Sequence, residues 1–408
     1  MKQLLAYCLS IILCVSFTGC MENYLDLYPE DKITSASFPE NESDIKLLLN
    51  GVYAQLREKE VYNQGLFGFG ITDGATPNAF NWGTDEVFNK LGAGRLSSSD
   101  GGVVTYRWKR CYEIISRANY LLACMDLVDL SEEAKAKYSG ETHFLRGLAY
   151  SVLAETYGGV PIILTNISTE EARSLKRASL EETWQQALDD YEVAITNLGV
   201  DAPEPGRATK GAALGMKMRA YLYQGKYKEV LSCVEQIDAL KKYGLFHSYE
   251  GLFDPANENN KEVLFDIQYI EGENLQGSYI DQYCGTGTGS CTRGSRYVPT
   301  DDLVAAYETI DGSPVDPENP YENRDPRLGF TAVLPGSYFL SYRFPNYLYP
   351  GGAFNHAGNR LKHLSTRKYR IQDESKLPPS GQSYINDIIL RYADVLLSKA
   401  EAIIETNG

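Results

Sequence analysis

Thr18-Gly19-Cys20 closes an apolar run, Leu4 to Phe17, that follows Met1-Lys2. A thiol directly after glycine at the end of such a run is the pattern of a bacterial lipobox. There the sulfur is acylated, and cleavage leaves the cysteine as the new N-terminus. Phe17 stands where leucine is usual, at the third position before the cysteine. The run is too short to span a bilayer as a mature helix, which needs about 20 residues. The reading is a lipoprotein signal peptide over 1–19 and a lipid on Cys20, which tethers the chain to a membrane instead of threading it through. No later segment is a candidate membrane span.

Five further cysteines follow Cys20: Cys111, Cys124, Cys233, Cys284 and Cys291. An odd number excludes a fully paired framework. Cys111 and Cys124 fall on one predicted helix, roughly 20 Å apart at about 1.5 Å rise per residue, too far to bridge. Cys284 and Cys291 flank a Gly/Thr loop where either a disulfide or two free thiols fits. No Cys/His spacing suggests zinc.

Chemistry of other kinds finds little support. The four histidines, at 143, 247, 356 and 363, form no HExxH pair, and no Gly-x-Ser-x-Gly elbow occurs. Gly285-Thr-Gly-Thr-Gly289 lacks the Lys-Ser/Thr of a phosphate loop. The acidic run Asp311 to Glu318 does not have EF-hand spacing. Asn323-Arg324-Asp325-Pro326-Arg327 reads as a turn locked by Arg–Asp ion pairs. Expected catalytic residues, metal ligands and cofactors are therefore none. Carboxylate pairs are too numerous in an acidic chain to single one out, which leaves a secreted hydrolase as the most distant alternative.

The elements that must position any site are mostly helical. A first helical pattern covers Asp44–Arg57. In about 103–128, Val104, Trp108, Cys111, Ile115, Ala118, Leu122 and Met125 recur at three- and four-residue steps. The next pattern, Glu132–Tyr157, stops at Gly158-Gly159-Val160-Pro161. Further helices are predicted near 179–198, 206–223 and 226–241. In the last pair Tyr221, Gly225 and Tyr227 stand at tetratricopeptide spacing, with the glycine at the reversal and the aromatics in the crevice. The helices at 132–157 and 179–198 are read as an earlier, degenerate pair. Lys261 to Tyr269 alternates like a strand. Regions about 62–102 and 270–384 are loop-rich, and long irregular segments usually carry function. A final helix is predicted over Ile385–Ile404.

Several segments, in order, resemble the SusD/RagB family of outer-membrane nutrient-binding lipoproteins. They are the lipidated cysteine, Tyr24 to Pro29, and Leu49 to Tyr53, followed by Trp108 with Tyr112, Arg117 and Asn119. Next comes Phe144-Leu145-Arg146 to Tyr150 with Tyr157 to Pro161. Glu262 to Tyr269, Pro299 to Tyr307, Asn323 to Leu328, and Leu390 to Ala402 complete the series. The family pattern continues beyond the last of these segments, so the chain is read as cut short at its C-terminus. The resemblance implies a mostly α fold of tetratricopeptide-like hairpins, a SusD-like α/α superhelix with a loop-rich elaboration and a few short strands. It would form a single domain over 20–408. The implied function is capture of oligosaccharide at the cell surface and delivery to a SusC-type TonB-dependent transporter. A peptide-binding receptor on the same scaffold is the alternative.

Sugar faces carry apolar C–H patches on which aromatic rings stack, while amides and charges bond the hydroxyls. On that chemistry the ligand candidates are Asn78, Phe80, Asn81 and Trp82, with Asp73, in the first loop, and Tyr279, Tyr283 and Tyr297 around the Gly-rich turn. Tyr342 and Tyr347 stand in a third cluster, Tyr338 to Tyr349, with Arg343 and Asn346 as further donors. The composition agrees: tyrosine outnumbers phenylalanine 30 to 14 among 408 residues. A net charge of −15 argues against a nucleic-acid partner, because phosphate binding needs clustered Lys and Arg.

Overall fold

The structure, a computed structural model, describes residues 38–57, 73–81, 90–97, 99–270, 277, 297–339, 342–343, 364–371, 373–378 and 382–407. The signal segment, Cys20, Cys284 and Cys291 lie outside them. Helices dominate, in the order α1 (Glu42–Tyr53), α2 (Val103–Cys124), α3 (Glu132–Tyr157), α4 (Thr169–Ser174), α5 (Leu180–Asn197), α6 (Lys210–Tyr223) and α7 (Tyr227–Ala239). Beyond them come two short helices, α8 (Asp301–Ala306) and α9 (Pro326–Thr331), and the closing α10 (Tyr392–Asn407). None is long and apolar enough to cross a membrane.

Helix starts follow local chemistry. Ser168 and Ser179 each accept from the amide three residues on, while Glu171 and Glu182 accept from the Ser backbone, forming two capping boxes. Between α6 and α7, Gly225 takes φ +67°, a left-handed turn open to glycine at no steric cost. Its amide donates to the Leu222 carbonyl at 2.9 Å. Tyr221 and Tyr227 pack half-buried on the core on either side of the reversal, as the tetratricopeptide spacing predicts. The earlier pair, α3 and α5, is packed closely. A Cβ at Gly147 would lie 3.0 Å from Asp190 Cβ and 3.1 Å from the Ala187 carbonyl, so the two helices meet with almost nothing between them.

That contact holds a buried ion pair. Arg146 on α3 grips Asp190 on α5, with Nη2 to Oδ1 at 2.7 Å and Nε to Oδ2 at 3.0 Å, and its Nη1 donates to Asn119 Oδ1 on α2 at 2.8 Å. Asn119 Nδ2 in turn donates to the Ile163 carbonyl at 3.0 Å, and the Tyr112 hydroxyl to the Pro161 carbonyl at 2.8 Å. Residues that carry the family resemblance thus converge on one job, holding the chain after Gly158-Gly159 against the helices. Gly159 itself is obligatory there, because a Cβ would fall 2.0 Å from the Ala178 carbonyl oxygen.

One element differs from expectation. Predicted as part of a helix from Ile385, Asp387–Arg391 is instead strand β8, and α10 begins only at Tyr392. The consecutive β-branched Ile388-Ile389 favour extended backbone, and β8 pairs antiparallel with β2 (Val263–Ile267), the strand read from alternation. Leu264, Phe265, Ile389 and Leu390 bury into the main core from this ribbon. α10 then packs on α6 and α7, where Asp394 receives Arg219 at 2.6 Å and Asp238 accepts from Tyr392 at 2.7 Å.

The remaining strands are short ribbons: β1 (Ala79–Asn81) with β3 (Tyr297–Pro299), β4 (Ala332–Val333) with β7 (Ser365–Thr366), and β5 (Tyr338–Phe339) with β6 (Tyr342–Arg343), all antiparallel. A second, smaller apolar cluster around Leu252, Phe253, Tyr369, Ile371 and Ile385 lies apart from the helical core. Cys111, Cys124 and Cys233 are buried free thiols.

Candidate functional site

The β1–β3 ribbon joins two of the segments singled out for their aromatics. Its register sets Asn81 opposite Tyr297, Phe80 opposite Val298 and Ala79 opposite Pro299. Thr300, just past β3, locks the pairing: its amide donates to the Asn78 carbonyl at 3.1 Å and its hydroxyl to the Pro77 carbonyl. The same hydroxyl accepts from Leu303 N at 3.1 Å and so caps α8. One residue therefore fixes the ribbon and the start of the next helix together.

Behind the ribbon opens a cleft of about 180 Å³. Asp73 and Asn78 line it from the N-terminal side, Tyr249 and Tyr307 from the middle of the chain, and Lys368 and Tyr369 from the segment after β7. Asn78 is exposed, and its backbone amide donates to Thr76 Oγ1 at 3.1 Å. Phe80, on the alternate face of β1, is 47% exposed.

Tyr307 is positioned by Arg324. The guanidinium donates to the Val304 and Tyr307 carbonyls, each at 2.5 Å, and to the Pro320 carbonyl at 2.6 Å. Arg324 thus ties off the last carbonyls of α8. The sequence reading expected Arg–Asp pairs throughout this turn. Arg327 does clasp Asp325, Nη2 to Oδ2 at 2.5 Å, whereas Arg324 serves carbonyls because it points into the α8 terminus. The Tyr307 hydroxyl shares a hydrogen bond with Thr331 Oγ1 at 2.8 Å, and burial raises its pKa.

The cleft floor is an aromatic stack. The Phe253 and Tyr369 rings lie 4.7 Å apart, and Tyr249 meets Phe253 edge-on at 5.6 Å. Tyr369 holds φ +58°, a left-handed backbone unusual for a bulky residue and of a kind concentrated at ligand sites. Half-buried Lys368 sets its ammonium 4.4 Å from the Phe253 ring centre and 5.2 Å from that of Tyr369. Burial lowers the Lys368 pKa, and burial raises that of Asp73 against the opposing pull of Lys368.

Beneath the floor, carboxyls of the β2–β8 ribbon are also displaced. Burial, with the neighbouring Asp266 and Asp73 charges, pushes Asp387 up to about 7. Burial pushes Asp266 to about 6 and Glu258 to about 7. Asn386 stitches this group together, donating from its side chain to Asp266 at 3.1 Å and from its backbone to Glu258 at 2.8 Å. Among the described residues no cluster of three or more His, Cys, Asp or Glu is arranged to hold a metal ion.

Of the residues predicted to bind ligand, Asn78, Phe80 and Asn81 sit on or beside β1, and Tyr297 faces Asn81 across the ribbon. Tyr342 lies on β6, in a different hairpin. There Tyr338 is 63% exposed, with the Arg343 guanidinium stacked 5.8 Å from its ring centre. Trp82, Tyr279, Tyr283 and Tyr347 lie outside the described residues. Sequence reading missed Tyr249, Lys368 and Tyr369, which stand in segments without periodicity. Tyr307 carried a signal, as the last residue of the Pro299 to Tyr307 segment.

Comparison with known proteins places the chain among proteins of one kind. Residues 23–222 match a family model described as starch-binding and associating with the outer membrane, and residues 261–408 match the model of the SusD family. A solved SusD-like carbohydrate binding protein from Bacteroides fragilis superposes with a TM-score of 0.79 at 27% identity, over 90% of this chain and 74% of that one. SusD-like protein P25 of Formosa agariphila is 26% identical over 68% of this chain, and the match spans 54% of that relative. A SusD-like protein of Bacteroides ovatus is 24% identical over 96% of this chain and 70% of its own length. The chain thus spans about half of the first relative and more of the others.

Proposed function

The chain belongs to the SusD family, and on that premise we propose that it is a glycan-binding protein of the outer membrane whose ligand site is the cleft behind the β1–β3 ribbon. The observation that carries the reading is the cleft lining, which gathers the aromatic residues Tyr249, Tyr307 and Tyr369 with Asn78. Rings stack on pyranose C–H faces, and the amide and hydroxyls bond to sugar hydroxyls. Nothing in that recognition requires bond making, so the protein captures and releases its ligand unchanged.

Trp82, directly after β1, and Tyr279, Tyr283, Tyr342 and Tyr347 are the further aromatics assigned to the rim, alongside Phe80 and Tyr297. Cys20 carries the lipid that tethers the protein to the outer membrane, on its exposed side. A SusC-type TonB-dependent transporter is the partner that receives the glycan. The description of the family as associating with the outer membrane supports this placement.

A glycan array probed with lipid-free protein, residues 21–408, tests the reading. Binding to one class of oligosaccharide is expected; binding to peptides with no glycan bound contradicts it. Co-purification of the full chain with a TonB-dependent transporter tests the partner.

A further inference from the structure

Among the described residues that line the cleft, Lys368 is the one cation. Two aromatic rings and the Tyr249 hydroxyl surround its ammonium, but no ion pair joins it to a carboxylate among the described residues. Several other buried or half-buried cations are matched by a carboxylate: Arg146 by Asp190, Arg219 by Asp394, Arg391 by Glu262. An ammonium withdrawn from water without a counter-charge is costly, and ring faces return only part of the loss.

Asp73 also lines the cleft and attracts Lys368 at longer range, but it makes no ion pair with it. Burial raises the Asp73 carboxyl from its ordinary range, against the pull of Lys368. Arg391 faces Lys368 from β8 and adds to the positive potential there, although Glu262 engages its guanidinium at 2.7 Å.

We propose that the cleft is built for an acidic glycan, with the Lys368 ammonium receiving an anionic substituent, a uronate carboxylate or a sulfate ester, while the rings of Tyr249, Tyr307 and Tyr369 take the sugar faces. This inference rests on the glycan-binding reading and names its substrate class. An anion at that point supplies the missing counter-charge and favours the charged lysine that burial disfavours.

The test is calorimetric titration of the lipid-free protein with matched oligosaccharides. Uronate-containing oligosaccharides are compared with the same chains after carboxyl reduction to the neutral sugar, and sulfated ones with their desulfated counterparts. The expected result is at least tenfold tighter binding of one acidic member over its neutral match, weakening steeply between 50 mM and 500 mM NaCl. Which pair shows the preference identifies the anion. Lys368→Gln is expected to bring the acidic-to-neutral ratio close to one. Should that variant fail to fold, the salt dependence of the native protein decides. Equal or tighter binding of both neutral members, or an acidic preference insensitive to salt and to Lys368→Gln, overturns the inference and leaves glycan binding standing. Failure to bind any member of either pair counts against the inference, and an array on which no glycan binds removes the reading beneath it as well.

Discussion

Asn81 and Tyr297 face each other across a two-stranded ribbon, although they lie far apart in the sequence. The pairing brings the loop that precedes the helical scaffold onto the loop that follows it. Thr300 pins that junction to Asn78 and to the start of α8. The candidate site is thus a meeting of two irregular regions over the small apolar cluster of Phe253 and Tyr369, apart from the helical core.

The amide and aromatic groups assigned to the ligand should carry much of the affinity. Asn78→Ala and Trp82→Ala are each expected to weaken oligosaccharide binding roughly tenfold, about 1.4 kcal/mol. Their unfolding temperatures should stay within a degree or two of the native protein. Calorimetry paired with thermal denaturation checks this, and unchanged affinity in a folded variant removes that residue from the site.

Arg324 is expected to act through Tyr307. Replacing it by methionine leaves the Val304, Tyr307 and Pro320 carbonyls without their donor, a loss of about 1–3 kcal/mol of stability. Because Tyr307 lines the cleft, affinity should fall too. Arg327→Met, which frees only an exposed clasp with Asp325, serves as the control and should change stability by less than about 1 kcal/mol.

Removing one partner of the buried pair between α3 and α5 should be far more damaging. Asp190→Ala strands the Arg146 guanidinium in the core, for an expected loss of about 3–5 kcal/mol measured by urea denaturation. Replacing Arg146 by methionine together with Asp190 by leucine should recover much of that loss, since no uncompensated charge remains.

How much of this could be read beforehand follows from the physics of each segment. The helices were legible because α2, α3, α5, α6 and α7 carry three- and four-residue apolar periodicity and explicit caps or glycine stops, so their bounds fell within a few residues. β8 was missed because five residues running directly into a helix leave no turn signal between them. Its strand character depends on pairing with β2, which no local pattern encodes. The cleft was half legible. Asn78 stood out by residue type, but Lys368 and Tyr369 matter only because β7 and α9 carry them beside Phe253 and Tyr307. That juxtaposition is tertiary.

Stability should fall as pH rises toward and beyond neutrality. Asp266, Glu258 and Asp387 all have folded-state pKa values raised above the ordinary carboxylate range, to about 6, about 7 and about 7. The folded state therefore holds protons that the unfolded chain gives up near pH 4. Their contribution is present in full below that pH and is lost as pH climbs through 6 and 7. Asp100 and Asp311, both lowered to about 2, act in the opposite sense only below about pH 4, whereas His143, which burial lowers, opposes part of the decline up to its ordinary value near 6.5. The urea midpoint should thus drop between pH 5 and pH 8, and Asp387→Asn should flatten the decline. A midpoint rising over that interval would contradict the raised carboxyl pKa values.

The most direct measurement is a titration of the lipid-free protein, beside its Tyr307→Ala variant, with the oligosaccharide that binds best on the array. A cleft that stacks sugar on Tyr307 predicts saturable binding by the native protein and at least a tenfold loss in the variant with its fold retained. Native affinity in a folded Tyr307→Ala protein would place the glycan elsewhere and contradict the assignment of the cleft.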